Sequence, residues 1–233
     1  MKKIILMVAL GVSLFGVETF SQSKMSVADK VISKTSNNIL EDEAEQLYKE
    51  MKLENKISLN AFKIAFNGYS KIEKKAKPVL TVIDFSKPST KERFFVLDLS
   101  KKKILFSSHV AHGKNSGENM ATSFSNKVGS YQSSPGFYLT ENTYMGGNGY
   151  SLVLNGLEKG INDKAKERYV VIHGAKYANP VSGAARLGRS YGCPALPTAL
   201  NKPIIDSIKN GSVLYIHTEL PQYTMKSSFV QRT

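Results

Sequence analysis

Apolar positions in the first third of the chain recur at helical spacing. Between Leu40 and Met51 they lie three or four residues apart with acidic residues in the gaps, which predicts an amphipathic helix. Ser58 is placed to be the N-cap of a second helix. The apolar stripe of that helix comprises Leu59, Phe62, Phe66 and Tyr69. A basic run then ends at Pro78, which indicates the boundary of this helical part.

Beyond Pro78 the pattern changes to short apolar runs rich in β-branched residues, which are typical of strands. The predicted strands are 79–85, 93–99, 104–111, 136–140, 151–157, 168–173 and 212–218. A helix interrupted at Pro203 is predicted for 197–209, and Asn210 with Gly211 is expected to stop it. The fold class that these patterns indicate is mainly β with some α.

The N-terminus has the layout of a secretory signal peptide. Lys2 and Lys3 precede an apolar run at 4–17, which is shorter than the ~18 residues that a membrane-spanning helix needs, and polar residues follow. We expect residues 1–21 to be a cleaved signal peptide and the protein to be exported to the periplasm or cell envelope. A retained N-terminal anchor is the alternative.

The remaining patterns divide the chain into three further parts. Residues 22–77 are expected to be a small helical segment that starts with a linker at 22–38. Residues 78–219 form the mainly β domain, and residues 220–233 are predicted to be a polar tail. A length of 233 residues suffices for one catalytic domain with an added segment and is too short for two large domains.

Basic residues exceed acidic ones by 32 to 19, which gives a formal net charge of +13. Such a surplus favours an anionic partner, although it can also serve solubility alone. Export argues against nucleic acid and favours cell-wall glycopeptide or anionic envelope lipids as partners. No cofactor signature appears, and no metal is expected: His109 and His112 are three residues apart, but no third ligand has motif spacing.

Cys193 is the only cysteine, so the chain has no internal disulfide. Its thiol is buried and inert, paired with another chain, or reactive. Gly192 and Pro194 flank it, and Arg186 and Arg189 are close in sequence. These neighbours favour a reactive thiol, because low-pKa thiols occur in electropositive, partly exposed sites.

His173 ends a predicted strand and is a candidate base for that thiol. A thiol with an ordinary pKa of about 8.5 is only a few per cent thiolate at neutral pH, and a neighbouring imidazole can take its proton. Gly192 lets the backbone bend so that consecutive N–H groups can point at a developing oxyanion. Without Cys193, the favoured interpretation of His173 would be a hydrogen-bonded residue at a strand end.

The residues from His173-Gly174 to Ser190-Tyr191-Gly192-Cys193 resemble the active-site signature of bacterial L,D-transpeptidases: His-Gly, a variable loop, then Ser-x-Gly-Cys. Upstream blocks at 82–89, 110–117 and 123–126 resemble the branch of murein L,D-transpeptidase catalytic domain proteins. The resemblance covers about residues 78–218.

The resemblance implies a mixed β-sheet catalytic domain that cleaves the bond between a meso-diaminopimelate-type third residue and D-Ala in a tetrapeptide stem. It implies an acyl-thioester on the cysteine, which a neighbouring stem amine resolves to a 3→3 cross-link or water resolves as an L,D-carboxypeptidase. It also implies acylation by β-lactams of the carbapenem class. Position by position, it implies that Cys193 is the nucleophile, His173 the base, Ser190 a supporting residue, and Gly192 part of the oxyanion hole.

Three positions depart from the common pattern of the family. Tyr191 stands where the family has His, Gly174 where it often has a hydroxyl residue, and Pro194 near a common Arg. These departures concern how the substrate is held, so Tyr191 and Gly174 are candidate substrate-binding positions. We expect Arg186 or Arg189 to hold the substrate carboxylate.

Two alternatives remain beside a transpeptidase of this family. One is a non-catalytic envelope module that binds peptidoglycan. The other is a sortase-like cysteine transpeptidase, which would need an Arg after the Cys, and here the only one is Arg232 in the polar tail. Papain-like peptidases are disfavoured because their Cys precedes their His.

Overall fold

The computed structural model describes residues 27–230 of the chain. Its elements, in chain order, are α1 Val27–Glu50, α2 Leu59–Lys71, β1 Val79–Asp84, β2 Phe94–Asp98, β3 Lys103–Ser108, β4 Gly136–Gly146, β5 Gly149–Gly156, β6 Val171–Gly174, a 3₁₀ turn Lys176–Ala178, β7 Ala195–Leu196, α3 Thr198–Ile208, β8 Val213–His217 and α4 Pro221–Lys226. The predicted signal peptide at 1–21 lies outside these residues. Within them, no helix is both long and apolar enough to cross a membrane.

All eight strands belong to one sheet, in the order β3-β2-β1-β8-β4-β5-β6-β7. The pairs β1–β8 and β6–β7 are parallel, and the other neighbours are antiparallel. The prediction of a mainly β chain with a mixed sheet and a preceding helical segment is therefore confirmed. The short strands β6 and β7 form one end of the sheet, and the site lies there.

Helices cover both faces of the sheet around its strands β1, β2 and β8, which are buried along their whole length. On one face α1 and α2 pack with residues of β1, β2 and β8 into a single hydrophobic cluster. On the other face α3 packs through Ile204, Ile205 and Ile208. The helical segment thus shares a core with the strands, and the border predicted at Pro78 marks a change of element within that core. Ser58 caps α2 as predicted: its side chain accepts from the N–H of Ala61 at 3.1 Å.

Three local predictions were wrong. The linker at 22–38 is helical from Val27 onward, since no Gly or Pro interrupts 27–50. The helix α3 runs through Pro203 without interruption, because burial of its isoleucines against the sheet outweighs the loss of one N–H donor. The tail after 219 contains α4, and its Tyr223 is buried in the core.

Candidate functional site

The parallel pairing of β6 with β7 brings Cys193 and His173 to neighbouring strands. His173 is opposite Ala195 in the register, and Cys193 comes two residues before Ala195. The Sγ of Cys193 accepts from the N–H of Val171 and donates to the carbonyl of Tyr169, both at 3.5 Å. The thiol therefore lies against the start of the strand that carries the imidazole.

The ring of His173 is buried and has a defined tautomer. Its Nδ1 lies 3.1 Å from the carbonyl oxygen of Gly174, which can only accept, so Nδ1 carries the proton and Nε2 is free to take one. Burial lowers the pKa of His173, and the Gly174 carbonyl opposes this shift. Among the hydrogen bonds of residues 27–230, none joins His173 to Cys193. The neutral imidazole thus has Nε2 as a free acceptor nitrogen.

Gly174 follows His173 and packs against α3. A Cβ at this position would be 2.9 Å from the Cβ of Asn201, so even a small side chain would crowd the helix. The amide of Asn201 in turn donates to the carbonyl of Tyr150 at 2.9 Å. The close packing explains why glycine occupies a position at which a hydroxyl residue is common in the family.

A serine hydroxyl organises the turn that leads to Cys193. The Oγ of Ser190 accepts from the N–H of Gly192 at 3.0 Å and donates to the carbonyl of Cys193 at 2.6 Å. Gly192 has φ +126°, and a Cβ there would be 2.9 Å from the carbonyl oxygen of Gln132, so the turn requires glycine. Because the N–H of Gly192 is already bonded to Ser190, it is not free in this conformation to bind an oxyanion.

A segment from the resembling block at 110–117 runs beside this turn and holds it by main-chain hydrogen bonds. Ala111 and Ala195 exchange two of these bonds, at 2.8 and 3.2 Å. Further along, the N–H of Ser190 donates to His112 at 2.9 Å, and the N–H of Lys114 donates to Ser190 at 2.8 Å. Cys193 is therefore fixed between β6 on one side and this segment on the other.

A buried arginine supports the same segment. Arg93 is fully buried, and its guanidinium donates twice to the carbonyl of Val110 and once, at 2.7 Å, to Nδ1 of His112. The Nε2 of His112 then donates to the carbonyl of Gly117 at 3.2 Å. Burial and the Arg93 charge lower the pKa of His112 to about 4, so the ring is neutral. Both ring nitrogens are occupied, which leaves His112 no lone pair for a metal.

The two arginines expected to hold a substrate carboxylate share a carboxylate of the chain itself. Arg186 Nε is 2.7 Å from Oε2 of Glu118, and Arg189 Nη1 is 2.6 Å from Oε1. Arg189 also donates to the carbonyls of Lys114 and Gly117, both at 3.1 Å. The pair is therefore arranged around one carboxylate group, and Glu118, whose side chain is 70% exposed, occupies that place.

Tyr191 faces solvent beside Cys193, and its side chain forms no hydrogen bond with the thiol. Its ring lies 4.8 Å from that of Tyr131, and the ammonium of Lys114 lies over both rings, at 4.6 and 4.4 Å. With 71% of its surface exposed, Tyr191 is accessible to a ligand.

Arg168 was not among the site residues predicted from the sequence. It packs behind the turn formed by residues 190–193. Its Nη2 would be 3.4 Å from a Cβ placed on Gly192. Burial raises the pKa of the Cys193 thiol, and the N–H of Val171 and the positive charge of Arg168 oppose that rise. Arg168 begins the run that ends in His173, and only its proximity to that strand in sequence hinted at the site.

Residues 27–230 contain no group of three or more His, Cys, Asp or Glu side chains able to hold a metal. What they place together is a partly exposed thiol, a neutral imidazole and a tightly held Gly-Cys turn. These are the components of cysteine-based acyl transfer.

Residues 53–217 match the model of the L,D-transpeptidase catalytic domain family. This range is well over half of the chain, so the protein belongs to that family. The match begins within the segment before α2, in agreement with the shared core of helices and sheet. Membership of this family displaces the sortase-like alternative.

The solved structures that match this chain have low sequence identity to it. The L,D-transpeptidase from Mycobacterium smegmatis is 15% identical with a TM-score of 0.38, over 60% of this chain and 59% of that chain. The one from Stackebrandtia nassauensis is 15% identical with a TM-score of 0.37, over 76% and 77%. The helical cell shape determining protein Pgp2 from Campylobacter jejuni is 14% identical with a TM-score of 0.41, over 72% and 60%. No curated protein matches the chain.

Proposed function

We propose that this protein is a cysteine-dependent murein L,D-transpeptidase that forms 3→3 cross-links in peptidoglycan. The donor is a tetrapeptide stem and the acceptor is an amine of a neighbouring stem. The observation that carries the proposal is the pairing of β6 with β7, which sets Cys193 beside the strand of His173 in a chain of this family.

The reaction begins when Nε2 of His173 takes the proton of the Cys193 thiol. The sulfur then attacks the carbonyl carbon of the third stem residue, and the bond to D-Ala breaks as its amine takes the proton from His173. In the resting arrangement the thiol donates to the carbonyl of Tyr169, so its first movement is a rotation away from that carbonyl. Attack by an acceptor amine, whose proton passes to His173, releases the cross-linked product and restores the thiol. Attack by water instead gives L,D-carboxypeptidase activity.

The oxyanion requires N–H donors near the sulfur. The main-chain N–H of Cys193 is the first donor, because it belongs to the residue that carries the sulfur. Gly192 contributes its N–H to the oxyanion only if Ser190 releases it. Ser190 therefore controls the number of oxyanion donors and also supports the turn.

Arg186 and Arg189 hold a substrate carboxylate after Glu118 has left them. Two fixed guanidinium groups around one carboxylate form a receptor of the right charge and geometry. Tyr191 adds an exposed aromatic surface next to the nucleophile, and Gly174 contributes by orienting His173 through its carbonyl. Carbapenems are expected to acylate Cys193, because a β-lactam carbonyl presents the same electrophile to the thiol.

The chain acts outside the cytoplasm in this proposal. The support is the layout of residues 1–21, with two lysines before a 14-residue apolar run, and the net charge of +13, which suits an anionic envelope. Detection of the mature N-terminus in an envelope fraction tests it.

The test of the function is incubation of the purified protein with tetrapeptide-stem muropeptides, followed by mass spectrometry. We expect 3→3 dimers and tripeptide products, which disappear in Cys193→Ala and in His173→Gln. His109→Gln is the matched control for replacing a histidine, since the His109 ring bonds to the carbonyl of Thr90, away from Cys193. Clean binding of muropeptides without any product would instead support the non-catalytic binding module.

A further inference from the structure

The loop at 125–134 holds the guanidinium of Arg168 against the turn at residues 190–193. Its Nη1 donates to the carbonyl of Ser125 at 2.6 Å and to the hydroxyl of Ser134. Its Nη2 donates to the carbonyl of Gln132 at 2.5 Å and to the hydroxyl of Ser130 at 3.2 Å. Four of the five N–H groups of a guanidinium are thereby used, so neither the position nor the plane of the group is free to vary.

All four of these acceptors are uncharged, which leaves the positive charge of Arg168 uncompensated. The ion pairs formed among residues 27–230 include Arg186 and Arg189, both with Glu118, and none includes Arg168. The ionisable groups that interact with its charge are Tyr138 and Cys193. Burial raises the pKa of Tyr138, whose hydroxyl stays neutral and donates to the carbonyl of Ser134. The thiol is the remaining group that can become an anion near this cation.

The loop that holds Arg168 is itself bound to the turn at residues 190–193. The hydroxyl of Ser133 donates to the carbonyl of Gly192 at 3.0 Å, and Gln132 touches the face of Gly192 where a side chain would be. Arg168 Nη2 lies at the same face, 3.4 Å from that position. A fixed distance between the guanidinium and the residue before the nucleophile follows from these contacts.

We propose that Arg168 is the counter-ion of the Cys193 thiolate, so that His173 acts as a neutral base and not as the partner of a permanent ion pair. Burial disfavours the charged form of a thiol, and a nearby fixed cation restores it. A guanidinium suits this role because it stays protonated throughout the reaction, whereas an imidazolium gives up its charge when it protonates the leaving amine. Arg168 is thus a positioning residue that acts through the thiol, and the inference rests on the proposed function only in taking Cys193 as the nucleophile.

The other groups around the thiol do not supply a permanent positive charge. His173 is neutral at rest because burial lowers its pKa, and it is charged only while it carries the proton taken from the thiol. Tyr177 also faces Cys193, and burial raises the pKa of its hydroxyl to about 12, so it is neutral as well. The ammonium of Lys114 lies over the ring of Tyr191, on the solvent side.

The experiment measures the titration of the thiol directly. Cys193 is the only cysteine, so the rate of alkylation by iodoacetamide between pH 5 and 10, followed by mass spectrometry, reports its midpoint alone. We expect Arg168→Met to raise the midpoint by about one pH unit, which means roughly tenfold less thiolate below it, and Arg168→Lys to restore part of the shift. The acid side of the pH profile of kcat/KM should shift by the same number of pH units, while KM stays unchanged.

Ser134→Ala is the matched control, because it removes one bond from Arg168 and leaves the charge in place. We expect it to leave the midpoint where it is in the unchanged protein. If Arg168→Met does not fold, as judged by circular dichroism, Arg168→Gln replaces it, since it removes the charge and keeps an N–H donor.

Equal midpoints in the unchanged protein and in the uncharged variant would overturn the inference, and so would an equal shift in Ser134→Ala. Alkylation needs no muropeptide, so its outcome is independent of the proposed function. A shifted midpoint without cross-linking by the unchanged protein would refute the function and leave the role of Arg168 standing.

Discussion

Acid should loosen the turn at residues 190–193 through His112. The folded protein keeps this ring neutral, with a pKa of about 4, whereas the ordinary value is 6.5. A base whose pKa is lowered on folding contributes stability that is fully present above its unfolded pKa and is lost as the pH falls towards the folded pKa. The loss should therefore lie between about pH 6.5 and 4. At about 1.36 kcal/mol per unit, a shift of roughly 2.5 units amounts to about 3 kcal/mol.

The assay is urea unfolding at several pH values from 7 to 4.5, for the unchanged protein and for His112→Asn. The Asn side chain offers an acceptor to Arg93 and does not titrate in this range. It also loses the edge contact of the ring with Phe85, whose centroid is 5.9 Å away, so the variant is less stable at neutral pH. We expect the stability difference between the two proteins to shrink as the pH falls, by up to about 3 kcal/mol at the lower limit.

Burial also lowers the pKa of His173 and His217, so both proteins should lose some stability in acid. Only the part of the acid-induced stability loss that is absent in His112→Asn is due to His112. Parallel pH profiles of the two proteins would refute the reasoning, because they would show that His112 binds its proton equally well in the folded and unfolded states.

Three further outcomes are expected. Ser190→Ala should slow acylation by a carbapenem about 10- to 100-fold in stopped-flow measurements, because the turn loses the hydroxyl that joins the N–H of Gly192 to the carbonyl of Cys193, at a cost of about 1–3 kcal/mol. An unchanged rate would mean that the turn holds without the hydroxyl, and a faster one that freeing the N–H of Gly192 outweighs the lost support. Glu118→Gln should lower the KM for tetrapeptide stems several-fold with kcat unchanged, and an unaltered KM would argue against Arg189 as a carboxylate-binding residue. Burial raises the pKa of Glu158, so its contribution to stability is present below the ordinary value and is lost as the pH rises through the raised one. Urea unfolding at pH 5 and 8 should therefore show less loss on going to pH 8 in Glu158→Gln than in the unchanged protein, and equal losses would contradict a raised pKa.

Most strands after Pro78 could be read from the chain because they contain short apolar runs between turn residues, whereas the two-residue strand β7 carries no such signal. Those strands lie in a sheet covered on both faces, where apolar side chains are required on both sides. The weaker predictions concern segments whose structure depends on tertiary packing. The polar composition after 219 conceals α4, which is held by burial of Tyr223 and by its hydroxyl bond to Glu158.

The sequence by itself determined that Cys193 and His173 are the candidate pair, because a single cysteine in a Ser-x-Gly-Cys run and a His-Gly at a strand end form a local signature. Only the tertiary structure decided what surrounds them. It pairs Arg186 and Arg189 with Glu118, and it places Arg168 behind the turn at residues 190–193. The physical reason is that Arg168 is held mainly by main-chain carbonyls and hydroxyls of a distant loop. Any sequence offers such acceptors, and folding alone brings them together.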